Sequence, residues 1–148
     1  MATKISIVLL TCFLIGACKK DQYTTRPQLT LKSVSSTSLH QGDVLNFDID
    51  FTDKEGDIQD SIWIQRISSV CPGTFASIFQ YKMPDFSPTK DLKGTISIGF
   101  IYNVANDPYY PYLGSCANKV DTSIFKFWLK DLGGHVSDTI TSPKIIFN

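Results

Sequence analysis

The stretch FTDKEGDIQD, residues 51–60, gathers carboxylates around one glycine and has the side chains that metal chemistry needs. Calcium takes roughly six to eight oxygen ligands from carboxylates and carbonyls. The EF-hand spacing fails, because Gly56 precedes the required glycine position and Ile64 stands where a bidentate glutamate is needed. A calcium site shared by two loops is the metal hypothesis, with tentative ligands Asp53, Glu55, Asp57, Asp60 and Asp131. The alternative is a turn in which Asp53 and Asp57 bind backbone amides.

A second stretch, YNVANDPYYPYLGSC at residues 102–116, is rich in tyrosine. Exposed tyrosines stack on sugar rings or anchor a protein partner, because each is a large rigid side chain with a polar tip. The tentative ligand-binding set is Tyr102, Tyr109, Tyr110 and Tyr112. The alternative is that this segment folds back over the open end of the core, held there by Cys116.

Catalytic patterns are missing from the sequence. Its two histidines, His40 and His135, do not have zinc-ligand spacing, and there is no nucleophile elbow or glycine-rich phosphate loop. The charge is balanced, with 14 basic and 14 acidic residues, whereas nucleic-acid binding favours a basic stripe. We therefore expect no enzyme, no nucleic-acid partner and no cofactor beyond the tentative calcium.

The N-terminus has the order of a targeting segment. Lys4 precedes an apolar run, Ile5 to Ile15, which is too short to span a membrane. Gly16 and Ala17 then lead into Cys18, and this ending resembles the lipobox of bacterial lipoproteins. The resemblance implies a signal peptide over 1–17 and a lipid on Cys18 that anchors the protein to the membrane. The alternative is an ordinary secretory signal with a chance cysteine.

The residues after Cys18 bear on the location of the protein in the cell envelope. CKKDQ is similar to the export tags of surface lipoproteins in the Bacteroidota, which implies the outer membrane, on either its periplasmic or its outer face. Cys71 and Cys116 remain after the leader and the lipidated cysteine are set aside. An even pair in an oxidising compartment predicts a disulfide, and two buried free thiols are the alternative.

The chain reads as a flexible polar tether over 18–27 and one domain over 28–148. Short segments of alternating apolar residues, separated by turn residues, predict an all-β fold with about seven strands in a β-sandwich. These segments are 27–34, 43–53, 61–70, 75–83, 94–102, 122–131 and 135–148.

Three phrases resemble the immunoglobulin-like domains of bacterial surface proteins: FTDKEGDIQD, DTSIFKFWLKDLGGHVSDTI at 121–140, and Trp63 in the third strand. The resemblance implies an immunoglobulin-like sandwich with Trp63 buried. In that order, the turn after the second strand lies beside the turn after the sixth, which brings Asp53 and Asp57 towards Asp131. Cys71 and Cys116 then lie together at the opposite end.

Apolar residues occupy both faces of the third and sixth strands, where Trp63 and Trp128 interrupt the alternation. Either the segment 72–92 covers this outer face or the face contacts a partner. The functional hypothesis is an outer-membrane-anchored lipoprotein that acts as a non-catalytic binding or accessory module for a glycan or protein ligand. The alternative is a structural or assembly subunit of a larger envelope complex.

Overall fold

The computed structural model describes residues 23–75, 78–117 and 119–148. This part of the chain contains ten strands and no helix. The strands are β1 Gln28–Val34, β2 Ser38–Leu39, β3 Val44–Asp53, β4 Ser61–Ser68, β5 Ile78–Lys82, β6 Leu92–Tyr102, β7 Tyr112–Leu113, β8 Asp121–Lys130, β9 Ile140–Thr141 and β10 Ile145–Phe147. They form two sheets, so the prediction of an all-β sandwich is confirmed.

The central strand β3 shows why these segments become strands. Leu45, Phe47 and Ile49 are fully buried, whereas the intervening Asn46 and Asp48 point away from the core. Successive side chains of a strand point to opposite faces, so this alternation gives one apolar face and one polar face. Burial of each large apolar side chain contributes roughly 2 kcal/mol.

Strand order positions the two ends of the sandwich. The first sheet runs β1-β3-β6-β7 and the second runs β2-β10-β8-β4-β5, with β9 paired to β8. The β2–β10 and β6–β7 pairs are parallel and the others are antiparallel. The strands β4 and β8 are antiparallel neighbours in the second sheet. The immunoglobulin-like classification stays a prediction.

Aromatic side chains join the two sheets. The Phe47 ring of the first sheet lies 4.9 Å from that of Phe125 and 5.0 Å from that of Phe127, both in the second sheet. Tyr102 and Phe147 make a similar edge contact, with ring centroids 5.0 Å apart. These separations lie in the favourable range for aromatic pairs.

The strand count differs from the sequence expectation of about seven. The two-residue strands β2 and β7 are additional, and the last predicted segment divides into β9 and β10 around Pro143. Proline cannot donate a hydrogen bond to a neighbouring strand, which explains the break.

The expectation that Trp63 is buried was wrong. Trp63 is half-buried on the outer face of the second sheet, where it stacks on Trp128 with centroids 6.4 Å apart and ring planes within 2°. Within the segment 72–92, the described strand β5 extends the sheet beside β4, with Gln80 opposite Trp63, and so does not lie over the pair. The tryptophan pair, Trp63 and Trp128, therefore remains accessible.

Residues 23–27 are bonded to the domain at the end where β3 finishes. Thr24 accepts a hydrogen bond from the Lys54 amide at 3.2 Å, and Arg26 pairs with Asp138 at 3.0 Å. Only the preceding part of the predicted tether, with Cys18, lies outside the described residues. No helix in the described part of the chain is long and apolar enough to cross a membrane.

Candidate functional site

The turn after β3 is organised by the Asp53 carboxylate. Its Oδ2 accepts hydrogen bonds from the amides of Gly56, at 2.6 Å, and Asp57, at 3.3 Å. Gly56 has a φ of +71°, in the region that glycine adopts most readily. The capping role that the sequence suggested for Asp53 is therefore present.

The turn after β8 is organised in the same manner by Asp131. Its Oδ1 accepts from the His135 amide at 2.7 Å, and its Oδ2 lies 2.9 Å from His135 Nδ1. The Leu132 amide donates to the Asp57 carbonyl at 2.8 Å, which fixes the two turns side by side.

Together the turns form the acidic cluster: Asp53, Asp57 and Asp131. One carboxylate oxygen from each lies within 4.8 Å of the other two. At an effective dielectric constant near 20, two full charges at that separation repel by about 3.5 kcal/mol. In the described ranges, no lysine or arginine nitrogen lies within 4.0 Å of a carboxylate oxygen of these three residues.

Part of this charge is isolated from water. Asp53 and Asp131 are 0% and 1% exposed. Two oxygens in the cluster, Asp53 Oδ1 and Asp57 Oδ1, are buried without a hydrogen-bond donor. Desolvation raises the pKa of Asp53, and the neighbouring carboxylates of Asp57 and Asp131 raise it further, against the opposing effect of the amides of Gly56 and Asp57.

Glu55 and Asp60, the two assisting ligands that the sequence suggested, lie outside the cluster. Glu55 is exposed and accepts a hydrogen bond from Thr25 at 3.2 Å. Asp60 lies 3.4 Å from Lys130 Nζ and accepts a hydrogen bond from its neighbour Ser61. Both side chains point to other partners, which strand and turn periodicity did not reveal.

At the other end lies the tyrosine loop, residues 103–116. Tyr109 is 84% exposed and Tyr112 is 51% exposed. Tyr110 is 37% exposed and packs on Gly99, where an added Cβ would lie 2.7 Å from its ring. Asp107 Oδ1 accepts the amides of Tyr109 and Tyr110 at 2.9 and 2.8 Å, which fixes the tip.

Tyr102 does not belong to this exposed set. It is 2% exposed and packs against Phe147 in the core. Its position in the alternating run of β6 places it inward, so that it packs in the core and is not exposed to a ligand.

The predicted disulfide is present. Cys71, just after β4, and Cys116, just before β8, are bonded, with Cα atoms 6.1 Å apart. The bridge fastens the tyrosine loop to the turn at residues 69–75.

A buried ion pair supports the same end. The Arg66 guanidinium, 1% exposed, donates to Asp121 Oδ2 at 2.9 Å, Ser123 Oγ at 2.9 Å and the Gly114 carbonyl at 2.6 Å. The rings of Phe75 and Phe147 flank it at 4.0 and 4.1 Å. Arg66 therefore joins the second sheet to the tyrosine loop.

Sequence reasoning missed this pair, although its signal was present. Arg66 continues the inward positions of Ile62 and Ile64 in β4, and Asp121 continues those of Ser123 and Phe125 in β8. Opposite charges on the inward faces of neighbouring strands indicate a buried pair, since an unpaired charge there is too costly.

The sequence also gave no sign of an apolar cleft between β5 and the part of β6 that precedes its pairing with β7. It has a volume of about 520 Å³. Its walls are mainly apolar and include Phe51, Ile58, Ile62, Tyr81, Met83, Phe86, Ile96 and Ile98.

No protein-family model and no curated protein matches this chain. Among solved structures, it is similar to the Pseudomonas fluorescens alkylpurine DNA glycosylase AlkC bound to DNA containing an abasic site analog. The TM-score is 0.45 and the identity 8%, over 84% of this chain and 31% of that one. It is also similar to Spo0M, a sporulation control protein from Bacillus subtilis, with a TM-score of 0.43 and 12% identity over 84% and 50%.

A third similar structure is the CARDB domain of a Pyrococcus furiosus protein in complex with di-metal ions. Its TM-score is 0.34 and its identity 7%, over 83% of this chain and 86% of that one. The chain thus spans about a third of the first structure and half of the second. At these TM-scores, no functional conclusion follows.

Proposed function

We propose that this protein is an outer-membrane lipoprotein, anchored through a lipid on Cys18, whose sandwich is a non-catalytic module that binds a glycan or protein ligand. The tyrosine loop is the proposed contact surface. The observation that carries the proposal is the placement of two features at opposite ends of the domain. Residues 23–27, which follow the proposed anchor, join the domain at the acidic end, and the exposed tyrosines lie at the other end.

The separation of the ends supports display of the loop away from the membrane. The ten residues of β3 connect the two ends, and a strand rises roughly 3.3 Å per residue, which gives about 33 Å. Tyr109 and Tyr112 therefore lie far from the point where the tether enters.

The loop is also held in one arrangement before it meets a ligand. The Cys71–Cys116 bridge, the Arg66 contact to Gly114 and the Asp107 turn all fix its backbone. A fixed loop loses less conformational entropy on binding, and tyrosine has few rotatable bonds to order.

A non-catalytic role fits the described side chains. His135 is bonded to the buried Asp131, but no serine or cysteine of the described residues is hydrogen-bonded to its ring. Cys71 and Cys116 are joined in a disulfide, which removes both thiols as nucleophiles.

The proposal is tested with the full chain expressed in a Gram-negative host. Detergent extracts are applied to immobilised neutral and acidic oligosaccharides, and membrane and soluble fractions are compared. We expect Tyr109→Ala with Tyr112→Ala to weaken binding at least tenfold, because both rings are exposed at the proposed contact. Tyr23→Ala, at the opposite end, is the matched control. Cys18→Ala is expected to move the protein to the soluble fraction with its binding intact.

Wild-type binding in the double tyrosine variant would exclude the loop as the site. Retention of Cys18→Ala in the membrane fraction would exclude the lipid anchor.

One observation favours the alternative, an assembly subunit of an envelope complex. The tryptophan pair lies half-buried on an open sheet face. If that face docks onto another envelope protein, Trp128→Lys is expected to release a partner that co-purifies after mild detergent extraction, without unfolding the domain. A wild-type chain that purifies alone argues against this role.

A further inference from the structure

We propose that the acidic cluster is a calcium site, in which Asp53, Asp57 and Asp131 each supply a carboxylate oxygen to one ion. The ion would join the turn after β3 to the turn after β8. This site lies at the opposite end from the tyrosine loop and is independent of the binding function proposed above.

The unpartnered oxygens separate this proposal from simple turn capping. Capping occupies Asp53 Oδ2, which accepts two backbone amides. It leaves Asp53 Oδ1 buried, with no donor, on a residue that is 0% exposed. Asp57 is half-buried, and its Oδ1 is likewise buried without a donor. Buried acceptors nearly always have a partner, and a bound cation supplies one to both.

The charge of the cluster gives the second argument. Three carboxylates converge within 4.8 Å and have no lysine or arginine partner in the described part of the chain. Among the described residues, the group of opposite charge nearest the cluster is His135, whose Nδ1 lies 2.9 Å from Asp131 Oδ2. A buried group of like charges requires a counterion or a proton, and a divalent cation neutralises most of the charge.

The donor set selects calcium among common ions. All three side chains offer oxygen, whereas zinc favours nitrogen and sulfur donors. Magnesium keeps several waters and usually binds through one or two carboxylates, whereas calcium accepts three carboxylates with carbonyls and water. The contacts of His135 to Asp131 hold that carboxylate in its orientation.

The experiment uses the full chain in mild detergent, first stripped with a chelator. Calcium alone and magnesium alone are then titrated, with melting temperature and heat of binding as readouts. With free calcium near 100 times its dissociation constant, we expect the wild-type melting temperature to rise by about 5–10 °C. Magnesium is expected to produce a much smaller rise.

Two variants with the same charge change locate the site. Asp57→Asn is expected to abolish the calcium response. Asp60→Asn lies in the same segment but pairs with Lys130, so its response should match the wild type. The proposal is overturned if the wild type shows neither heat nor a melting shift, if Asp57→Asn keeps the shift, or if magnesium acts equally.

Asp53→Asn provides an independent check, in case Asp57→Asn folds poorly. The oxygen of the asparagine amide can still accept the hydrogen bonds that cap the turn. Its NH₂ group replaces Oδ1, the carboxylate oxygen that is buried without a hydrogen-bond donor. We expect this variant to melt higher than the wild type in chelator and to ignore calcium. A lower melting temperature in chelator combined with a retained calcium response would refute the proposal.

Discussion

Gly56 shows how one residue sets the shape of the acidic cluster. Its backbone lies against Thr89, so that an added Cβ would sit 1.9 Å from the Thr89 carbonyl oxygen. The same residue donates its amide to Asp53. The segment before β6 therefore presses on the turn and leaves room only for glycine.

Alanine substitutions at three glycines separate the two constraints on Gly56, which are its positive φ and its close contact with Thr89. Gly56→Ala is expected to lower the free energy of unfolding by about 3 kcal/mol, because it adds a backbone clash to left-handed strain. Gly42→Ala, with a φ of +91° and nothing near its Cβ, should lose about 1 kcal/mol. Gly73→Ala has neither demand and should change little. Urea unfolding measures all three, and equal losses at Gly42 and Gly56 would show that the Thr89 contact yields easily.

Asp121 links the stability of the fold to pH in the acid range. Desolvation acts to raise its pKa, but hydrogen bonds from Ser123, Ser68 and the Val70 amide, with the charge of Arg66, leave it below the ordinary value. A carboxyl whose pKa is lower in the folded state stabilises the fold above its unfolded pKa, roughly 3.9. That stabilisation is lost as the pH falls through the folded pKa.

Asp121→Asn is therefore expected to destabilise the protein most at neutral pH. Removal of one partner leaves Arg66 buried without its counter-charge, at a cost of about 3–5 kcal/mol. The difference from the wild type should shrink as the pH falls below about 4, because the unfolded wild-type chain then takes up a proton at Asp121 that the folded state resists. Urea unfolding at pH 7 and pH 3 measures this, with the exposed pair partner Asp138→Asn as a control that changes little. A difference that is independent of pH would contradict the expectation.

At the scale of strands, alternation in the sequence was sufficient where a strand packs one face on the core. The strands β3 and β8 bury every second residue, so their bounds and inward residues follow from the pattern. The two-residue strands β2, β7 and β9 carry no period, because they form where other strands offer an edge. Trp63 was misplaced because its burial was inferred from the family resemblance, whereas Ile62, Ile64 and Arg66 take the inward positions of β4.

In the candidate site, too, the sequence predicted some residues correctly and not others. Topology brought Asp53 and Asp57 towards Asp131, because turns after particular strands meet at one end. It could not place Glu55 or Asp60, whose directions depend on local contacts with Thr25 and Lys130.

The tryptophan pair gives an expectation at this scale, since it joins β4 to β8 on the outer face. In a double-mutant cycle of Trp63→Thr and Trp128→Thr, we expect a coupling of about 0.5–1.5 kcal/mol. Gln65 and Lys126, the next outer pair on the same strands, should couple weakly when each is changed to threonine. Equal coupling in the two pairs would show that stacking of the rings adds nothing to ordinary strand pairing.

At the scale of the whole molecule, each end of the sandwich is stabilised by its own set of contacts. Hydrogen bonds between turns hold the acidic end, and a disulfide with a buried ion pair holds the tyrosine end.

The parallel pairing of β2 with β10 has a consequence for timing. Leu39 lies opposite Phe147 and accepts a hydrogen bond from the Asn148 amide at 2.9 Å. The early strand β2 therefore pairs only after β10, near the end of the chain, has been synthesised. Contacts this distant along the chain form slowly. We expect a nascent chain to remain unfolded until β10 has been synthesised. A chain truncated after Lys144, which lacks the buried Ile145 and Phe147, should show no cooperative thermal transition, whereas a native-like melt would remove this constraint.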